Sequence, residues 1–379
     1  MKLIALLVAI VLTPTWSQAA PFVDFNEAAV VKLPYNPIDL EAADFNGDGR
    51  MDLAVTLGGV SSPGGVLILL NEGSGFGPPK FFAAAGAFDM AIEDFNGDGT
   101  PDLACVGDSN VSVLLALGDG GFAAARNYPT DAESVSIAVG DFNNDGAPDI
   151  ISASRGVRKV NVLFNDGGGG FGGSTKIDVL EWSAAVAVVD LNADGNLDFV
   201  ASSWLTNTLS LALGDGHGTF QPVIRIDVPT ASALVAAGDF NADSKVDLAV
   251  LSSEWLDVLT WQTNGTLGLI KRTANGARSS WDLKIGDIDG DGALDVAAVA
   301  YANNAASVFL GNGDGGFRAT YYGIDHTPFG VAIGDWNADG RPDLATSHSL
   351  SGTLHLLLNR GGGDLAAPRY LPISTGSII

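Results

Sequence analysis

One nine-residue pattern, DxNxDGxxD, recurs from one end of the chain to the other. Its copies begin at seven aspartates: Asp44, Asp94, Asp141, Asp190, Asp239, Asp287 and Asp335. Successive copies start 47 to 50 residues apart, and this period is typical of four-stranded propeller blades. The pattern therefore predicts seven equivalent structural units.

The third repeat shows which elements each unit contains. Apolar, β-rich runs lie at residues 134–139, 150–153 and 159–164, and a more polar run lies at 175–179. Clusters of Asp, Asn and Gly separate them, as expected for strands joined by turns. We predict an all-β chain: a seven-bladed β-propeller of four-stranded antiparallel blades, forming a single domain over residues 20–379.

Two further features concern how the blades pack and how the ring closes. A turn residue before each fourth strand, predicted to pack between adjacent blades, is aromatic at Phe76, Phe122, Phe171, Phe220 and Phe317 and leucine at Leu267 and Leu365. A ring must also join its two chain ends. Residues 28–33 and residues 368–373 both resemble an outer strand, and either could complete the last blade.

The start of the chain and its charge limit the setting in which it works. Met1 and Lys2 precede an apolar run and the small residues near Ala19, which predicts a signal peptide over residues 1–19 and a secreted mature chain. The single cysteine, Cys105, lies in an apolar run and is expected to be a buried strand thiol. A formal charge of −25 argues against nucleic acid and anionic membranes as partners. We expect a monomer that does not insert into membranes.

The repeated loop offers oxygen atoms at alternate positions, which suits a hard cation such as Ca²⁺. In the first copy Asp44, Asn46, Asp48 and Asp52 supply side chains and Arg50 supplies its carbonyl oxygen. The alternative is that Asp, Asn and Gly are ordinary turn formers. Seven copies with the same oxygen-bearing residues favour calcium. Three aspartates in each loop, together with Asp289, make up half of the 44 acidic residues.

The predicted calcium ligands, up to seven sites in all, occupy the same positions in every loop, except that the fifth loop is given only four. They are Asp44, Asn46, Asp48, Arg50 and Asp52; Asp94, Asn96, Asp98, Thr100 and Asp102; Asp141, Asn143, Asp145, Ala147 and Asp149; Asp190, Asn192, Asp194, Asn196 and Asp198; Asp239, Asn241, Asp243 and Asp247; Asp287, Asp289, Asp291, Ala293 and Asp295; and Asp335, Asn337, Asp339, Arg341 and Asp343. Ser244 replaces the turn glycine in the fifth loop, which predicts the weakest or an empty site. The sixth, with four carboxylates, is predicted to bind most tightly.

The apolar strand, the DxNxDGxxD loop and the glycine-aromatic turn at this period resemble FG-GAP or VCBS repeats over residues 25–373. The resemblance implies a propeller like that of integrin α chains, with calcium loops between the first and second strands of each blade. Proteins with such repeats function in adhesion, bind sugars or carry catalytic domains. The resemblance therefore implies a fold more than a function.

The loops after the second strand and between blades emerge on the face opposite the aspartate loops. There we predict ligand-binding residues at Arg155, Trp182, Trp204, Trp255 and Trp281, because aromatic and arginine side chains suit sugars and protein hot spots. The alternative is that these aromatics only cover blade junctions. No catalytic motif of the GxSxG or HExxH kind occurs, so we predict a binding module for extracellular glycan or protein, not an enzyme. The alternative is a polysaccharide lyase or hydrolase.

Overall fold

The chain folds into a ring of seven sheets. The computed structural model describes residues 30–366, apart from residues 59–63, 86, 132, 229–231 and 263. Over these residues it contains 28 β-strands and no α-helix. The strands form seven antiparallel sheets of four strands each, so the predicted seven-bladed β-propeller is confirmed. The predicted signal peptide lies outside the described residues.

Each blade runs from an inner strand at the ring axis to an outer strand at the rim. The inner strands are β2 (Pro37–Ala43), β6 (Asp89–Glu93), β10 (Ser134–Gly140), β14 (Ser183–Val189), β18 (Ser232–Gly238), β22 (Ser280–Gly286) and β26 (Pro328–Gly334). The second strands are β3 (Asp52–Leu57), β7 (Asp102–Gly107), β11 (Asp149–Ser154), β15 (Asp198–Ser203), β19 (Asp247–Ser252), β23 (Asp295–Ala300) and β27 (Asp343–His348).

The third and outer strands complete the blades. The third strands are β4 (Gly65–Leu69), β8 (Asn110–Leu114), β12 (Lys159–Asn165), β16 (Thr208–Ala212), β20 (Trp255–Trp261), β24 (Ala305–Gly311) and β28 (Thr353–Leu357). The outer strands are β5 (Lys80–Ala83), β9 (Arg126–Pro129), β13 (Phe171–Asp178), β17 (Ile224–Asp227), β21 (Leu267–Ala274), β25 (Phe317–Gly323) and, in the last blade, β1 (Val30–Lys32).

Burial follows position in the blade. Every second strand is buried along its whole length, because both of its faces pack against neighbouring blades. Outer strands such as β5 and β9 are largely exposed. This gradient explains why the second strands read as unbroken apolar runs while the outer strands are polar.

In the third blade, the strand predicted over residues 175–179 begins earlier, at Phe171. Phe171 pairs with Asn165 on the preceding strand across a register shift, and Gly173 pairs with Phe164. The turn aromatic therefore belongs to the outer strand. Glycines at 172 and 173 concealed these residues from a composition-based prediction, because glycine is depleted in strands.

The N-terminal segment closes the ring. Strand β1 pairs antiparallel with β28, with Val30 opposite His355 and Lys32 opposite Thr353. Of the two segments that resemble an outer strand, the N-terminal one therefore completes the seventh blade, and residues 368–373 lie outside the described part of the chain. Joining the first and the last described strands in one sheet leaves the ring no open junction.

The turn aromatics pack between blades, as the sequence predicted. Phe122 of the second blade contacts Phe45 of the first at a ring-centroid distance of 5.7 Å. Equivalent pairs join Phe171 with Phe95, Phe220 with Phe142, and Phe317 with Phe240. Cys105 is buried in β7, which confirms its prediction as a strand thiol.

Candidate functional site

All seven aspartate loops share one hydrogen-bonded frame. We number the residues of each loop one to nine, starting at its first aspartate. The carboxylate at position one accepts the main-chain N–H of position six in every copy, as Asp44 does from Gly49 over 2.7 Å. The carboxylate at position five accepts the N–H of position seven, as Asp48 does from Arg50 over 3.0 Å. The loops are therefore folded so that acidic side chains surround the same turn.

The aspartate at position nine anchors the loop inside the blade. Asp52 is fully buried; one of its oxygens accepts the N–H of Phe45 at 3.0 Å and the other accepts the N–H of Asn71 at 2.6 Å. Equivalent pairs of bonds occur in the second, third, fourth, sixth and seventh blades. Position nine thus ties the aspartate loop to the turn after the third strand.

Burial raises the pKa of these position-nine carboxyls, and neighbouring aspartates of the same loop raise it further. For Asp52 the pKa rises to about 6 although two amide bonds lower it. Asp102, Asp149, Asp198 and Asp295 also rise to about 6, and Asp343 to about 7. A bound cation would favour the ionised forms of these side chains.

The donors in the loops fit calcium by chemistry, and in the sixth loop the spacing of the carboxylates fits as well. They are carboxylate, amide and carbonyl oxygens, the ligands that Ca²⁺ takes. In the sixth loop, carboxylate oxygens of Asp287, Asp289 and Asp295 lie within 4.8 Å of one another. That loop, with its extra carboxylate, is the one expected from the sequence to bind most tightly.

The fifth loop departs from the others where the sequence indicated. Ser244 has φ of 65°, so a serine occupies the left-handed conformation that glycine adopts elsewhere, which is strained. Asp247 is fully buried, yet among the described residues neither of its carboxylate oxygens accepts a well-formed hydrogen bond. Thr260 lies opposite it in the strand pair.

Position four is a second strained point that the sequence reasoning missed. Ala193, Ala242 and Ala338 have φ between 57° and 58°, and Asn144 has φ of 56°. The first, second and sixth loops carry glycine there. The sequence signal for this strain was that some copies carry glycine or asparagine at position four, since these two residues tolerate positive φ, while others carry alanine.

Two arginines make side-chain contacts that the sequence did not predict, since it assigned Arg50 and Arg341 only a carbonyl role. The Arg50 Nε donates to the carbonyl oxygen of Asn71 at 2.8 Å, and its terminal nitrogen is bonded to Asp48. Arg341 does the same with Asn359, at 2.9 Å, and Asp339. We call each set an arginine clamp.

An aromatic cluster lies on the face opposite the aspartate loops. The ring centroid of Trp281 lies 5.2 Å from Trp204, 4.9 Å from Phe329 and 6.3 Å from Tyr301. The Arg155 guanidinium lies 5.2 Å from the Trp204 ring centroid. The structure thus brings together three of the five predicted ligand-binding residues, Arg155, Trp204 and Trp281.

A pocket of about 420 Å³ adjoins this cluster. It is lined by Glu133, Arg155, Trp182, Ser183 and Trp204, with Gly156 and Leu205. Trp182 is 48% exposed, and Arg155 lies 3.7 Å from Glu133. The Ser183 hydroxyl is buried and, among the described residues, has no hydrogen-bond partner. We call this the tryptophan pocket.

Trp255 lies apart from the tryptophan pocket. It begins β20, where the Arg272 guanidinium lies 5.2 Å from its ring centroid. Arg272 forms two bonds to Asp257, of 2.6 and 2.8 Å. The structure therefore gives Trp255 a packing partner within its own blade and does not place it with the other four predicted residues.

Comparison with known proteins identifies the repeats. The model of the FG-GAP-like repeat matches residues 94–152, 141–201, 239–298 and 287–346, which together cover more than half of the chain. The chain belongs to the FG-GAP-like repeat family. No curated protein sequence matches it.

Solved structures resemble this FG-GAP-repeat propeller in fold. One describes specific recognition of non-reducing terminal N-acetylglucosamine by an Agrocybe aegerita lectin: TM-score 0.55, 20% identity, 89% of this chain and 92% of that chain covered. Another, BBS1N in complex with ARL6DN soaked with lead, has TM-score 0.60 and 12% identity, with coverage of 87% and 94%. The mercury-soaked counterpart gives 0.59 and 12%, with coverage of 91% and 97%. At these identities the likeness concerns the fold alone.

The axis of the FG-GAP-repeat propeller encloses a cavity of about 540 Å³ whose acidic lining the sequence reasoning missed. Asp39, Asp89 and Asp282 line it, each five residues before the first aspartate of its loop. Each accepts a main-chain N–H of the next blade, at 3.0, 2.9 and 2.8 Å respectively. The sequence signal for this lining was an aspartate at the same distance before the aspartate loop in three repeats. These aspartates join neighbouring inner strands.

Lys284 spans this cavity to Glu41, with which it is hydrogen bonded. Burial opposes the charge of Lys284, but Asp282, Glu41, Asp39 and Asp89 hold its pKa well above the usual value. Burial raises the pKa of Asp39 well above its usual value, although Lys284 lowers it. Trp204 lines both this cavity and the tryptophan pocket.

None of the described residues forms a helix long and apolar enough to cross a membrane.

Proposed function

We propose that this FG-GAP-repeat protein is a secreted, calcium-stabilised binding module that takes a carbohydrate in the tryptophan pocket. The observation that carries the proposal is the composition of that pocket. It combines an exposed tryptophan, a second tryptophan under a guanidinium, and the ion pair of Arg155 with Glu133. Sugar rings offer an apolar face and several hydroxyls, which suit such a lining.

The groups in the pocket have separable roles in this proposal. Trp182, about half exposed, would contact the apolar face of a sugar ring. Arg155 and Glu133 would donate to and accept from ring hydroxyls. The resemblance in fold to an N-acetylglucosamine-binding lectin is consistent with this use of a propeller.

Calcium has a structural role in the proposal. The ion, when bound, would neutralise the clustered carboxylates of each loop, held by positions one, three, five and nine and the carbonyl of position seven. The loop residues themselves hold the turn, since position nine links it to the turn after the third strand of the blade. A rigid ring would then keep the opposite face in one arrangement.

The carbohydrate proposal is tested with a glycan array followed by calorimetric titration of the best hit. Trp182→Ala should weaken that binding at least about tenfold, or about 1.4 kcal/mol. Trp255→Ala removes a tryptophan of the same type outside the pocket and should leave affinity unchanged. Equal losses in both variants would contradict the assignment of the pocket.

Protein adhesion is a second candidate, favoured by exposed apolar side chains around the pocket. Leu205 is 66% exposed and Tyr301 is 42% exposed, and such side chains suit a protein interface. A clean glycan array, with a partner protein retained by the wild type and lost in Leu205→Ser, would favour adhesion. Turnover of a polysaccharide by the pure protein would overturn both binding proposals.

The calcium proposal is tested separately by thermal unfolding. A ligand that binds only the folded chain raises the melting temperature. We expect the melting temperature to rise in millimolar calcium and to fall in chelator. Identical melting curves in the two conditions would refute this part of the proposal.

A further inference from the structure

The two arginine clamps occupy equivalent places in two of the seven loops. Each arginine stands at position seven, bonds the position-five carboxylate beside it and bonds the carbonyl that opens the turn after the third strand. A β-carbon added to Gly73 or Gly361 in those turns would lie 3.9 or 4.0 Å from Cδ of Arg50 or Arg341. The same geometry in two distant parts of the sequence indicates a built contact rather than a chance surface pairing.

The other loops lack this arrangement. Position seven is threonine, alanine, asparagine and alanine in the second, third, fourth and sixth loops. The fifth has Lys245, which forms no salt bridge with any described residue. In the first and seventh loops, an arginine that belongs to the loop itself therefore holds its positive charge against the acidic side chains.

The clamped blades are the two that meet where the first described strand closes the ring. Blade seven contains β1 from the start of the chain, and blade one follows it. The turn that Arg50 bonds also carries Asn71, whose side chain donates to the carbonyl of Trp336 in blade seven at 3.0 Å. Asn359, beside Arg341, donates to the carbonyl of Ile288 in blade six at 2.7 Å. Each clamp therefore supports a turn that crosses to the preceding blade.

We propose that Arg50 and Arg341 are positioning residues that hold the first and seventh loops in binding geometry when no calcium is bound. The proposal rests on the proposed calcium function. On this view these two loops depend less on the ion than the second, third, fourth and sixth, and the blades at the ring junction stay ordered at calcium concentrations that empty the others.

The arginines can order the loop without replacing the ion, because a guanidinium supplies a positive charge but no ligand atom for calcium. Its fork reaches a carboxylate and a carbonyl at once, so it reduces repulsion between Asp48 and its neighbours and fixes the orientation of that side chain. It offers no oxygen, so the remaining donors of the loop stay available for an ion. A position-five carboxylate held in place costs less entropy on calcium binding.

The direct test is amide hydrogen exchange measured by mass spectrometry on the whole protein in chelator. Peptides covering loops one and seven should exchange more slowly than those covering loops two, three, four and six. Arg50→Gln should speed exchange of residues 44–52 about three- to tenfold, a loss of local stability of about 0.7–1.4 kcal/mol, and leave loop seven unchanged. Lys245→Gln, the matched loss of a position-seven cation without a clamp, should leave its own loop unchanged.

A second measurement separates this proposal from that of calcium binding. The double variant Arg50→Gln, Arg341→Gln should melt below the wild type in chelator, and saturating calcium should remove at least half of that difference. A difference of equal size in both conditions, or no difference in exchange between clamped and unclamped loops, would overturn the role of the arginines. Failure of calcium to raise the melting temperature of the wild type would instead overturn the calcium function, whatever the exchange pattern.

Discussion

The side-chain amide of Asn71 in the first blade donates a hydrogen bond to the main-chain oxygen of Trp336 in the seventh, over 3.0 Å. The same amide donates to the carbonyl of Met51 at 3.2 Å. Trp336 is the second residue of the seventh aspartate loop. One asparagine therefore connects the seventh aspartate loop to the first blade, at the junction that closes the ring.

Replacing this asparagine should destabilise the ring. Asn71→Ala leaves the carbonyls of Trp336 and Met51 without this donor, and unsatisfied buried groups are costly, so we expect a loss of about 2 kcal/mol in the free energy of unfolding. Urea unfolding would measure it. Asn207→Ala, at an exposed position, is the matched control, and equal effects of the two variants would count against the inter-blade bond.

Gly330 should tolerate no side chain. A β-carbon there would lie 2.6 Å from the carbonyl oxygen of Ile38 and 3.0 Å from the amide nitrogen of Leu40, both on the inner strand of the adjacent blade. We expect Gly330→Ala to destabilise the protein by about 2–3 kcal/mol, because backbone atoms must move. Gly323→Ala, where the β-carbon meets nothing within 4 Å, should change the melting temperature little. Similar melting temperatures for both variants would show that blades one and seven do not approach so closely.

The sixth loop should lose calcium affinity when its extra charge is removed. Asp289→Asn keeps an oxygen at position three but restores the asparagine found in the other loops, so we expect affinity at this one site to fall several-fold. Calorimetric titration or terbium luminescence would resolve the change. Asp178→Asn, a neutralised aspartate on an exposed outer strand, controls for net charge. An equal loss in that control would assign the effect to long-range charge instead.

The adjacent pair His348 and His355 should make stability depend on pH. Their ring centroids are 4.1 Å apart, and burial lowers the pKa of His348 to about 4 and that of His355 to about 3. Below about pH 6.5 the unfolded chain binds protons that the folded chain refuses, so these two groups reduce stability as pH falls from 6.5 towards 4.

The position-nine aspartates act in the opposite direction in the same pH range, since their raised pKa values make the folded, metal-free chain the stronger proton binder. The histidine effect must therefore be measured as a difference. The stability of His355→Phe minus that of the wild type should rise by about 1–2 kcal/mol between pH 7 and pH 5. Urea unfolding at each pH measures this difference. The same substitution at the exposed His217 is the control. A difference that stays constant with pH would contradict burial of His355 in its neutral form.

The sequence by itself determined the number of blades, their strand order and the position of each aspartate loop. These follow from local features that repeat, such as Asp44 to Asp52 between an inner and a second strand, and the same local rules apply seven times. The strain at Ser244 was also predictable, because the requirement for a left-handed residue belongs to the turn itself.

Tertiary structure alone decided which side chains from different blades meet. The closing strand, the separation of Trp255 from Trp182 and Trp204, and the acidic lining at Asp39, Asp89 and Asp282 depend on how blades far apart in sequence face the axis or one mouth of the ring. The contact of Arg50 with Asn71 likewise depends on two loops that the blade brings together across 21 residues. A repeat states what each blade contains, but the differences between repeats acquire meaning only when the closed ring places unlike residues side by side.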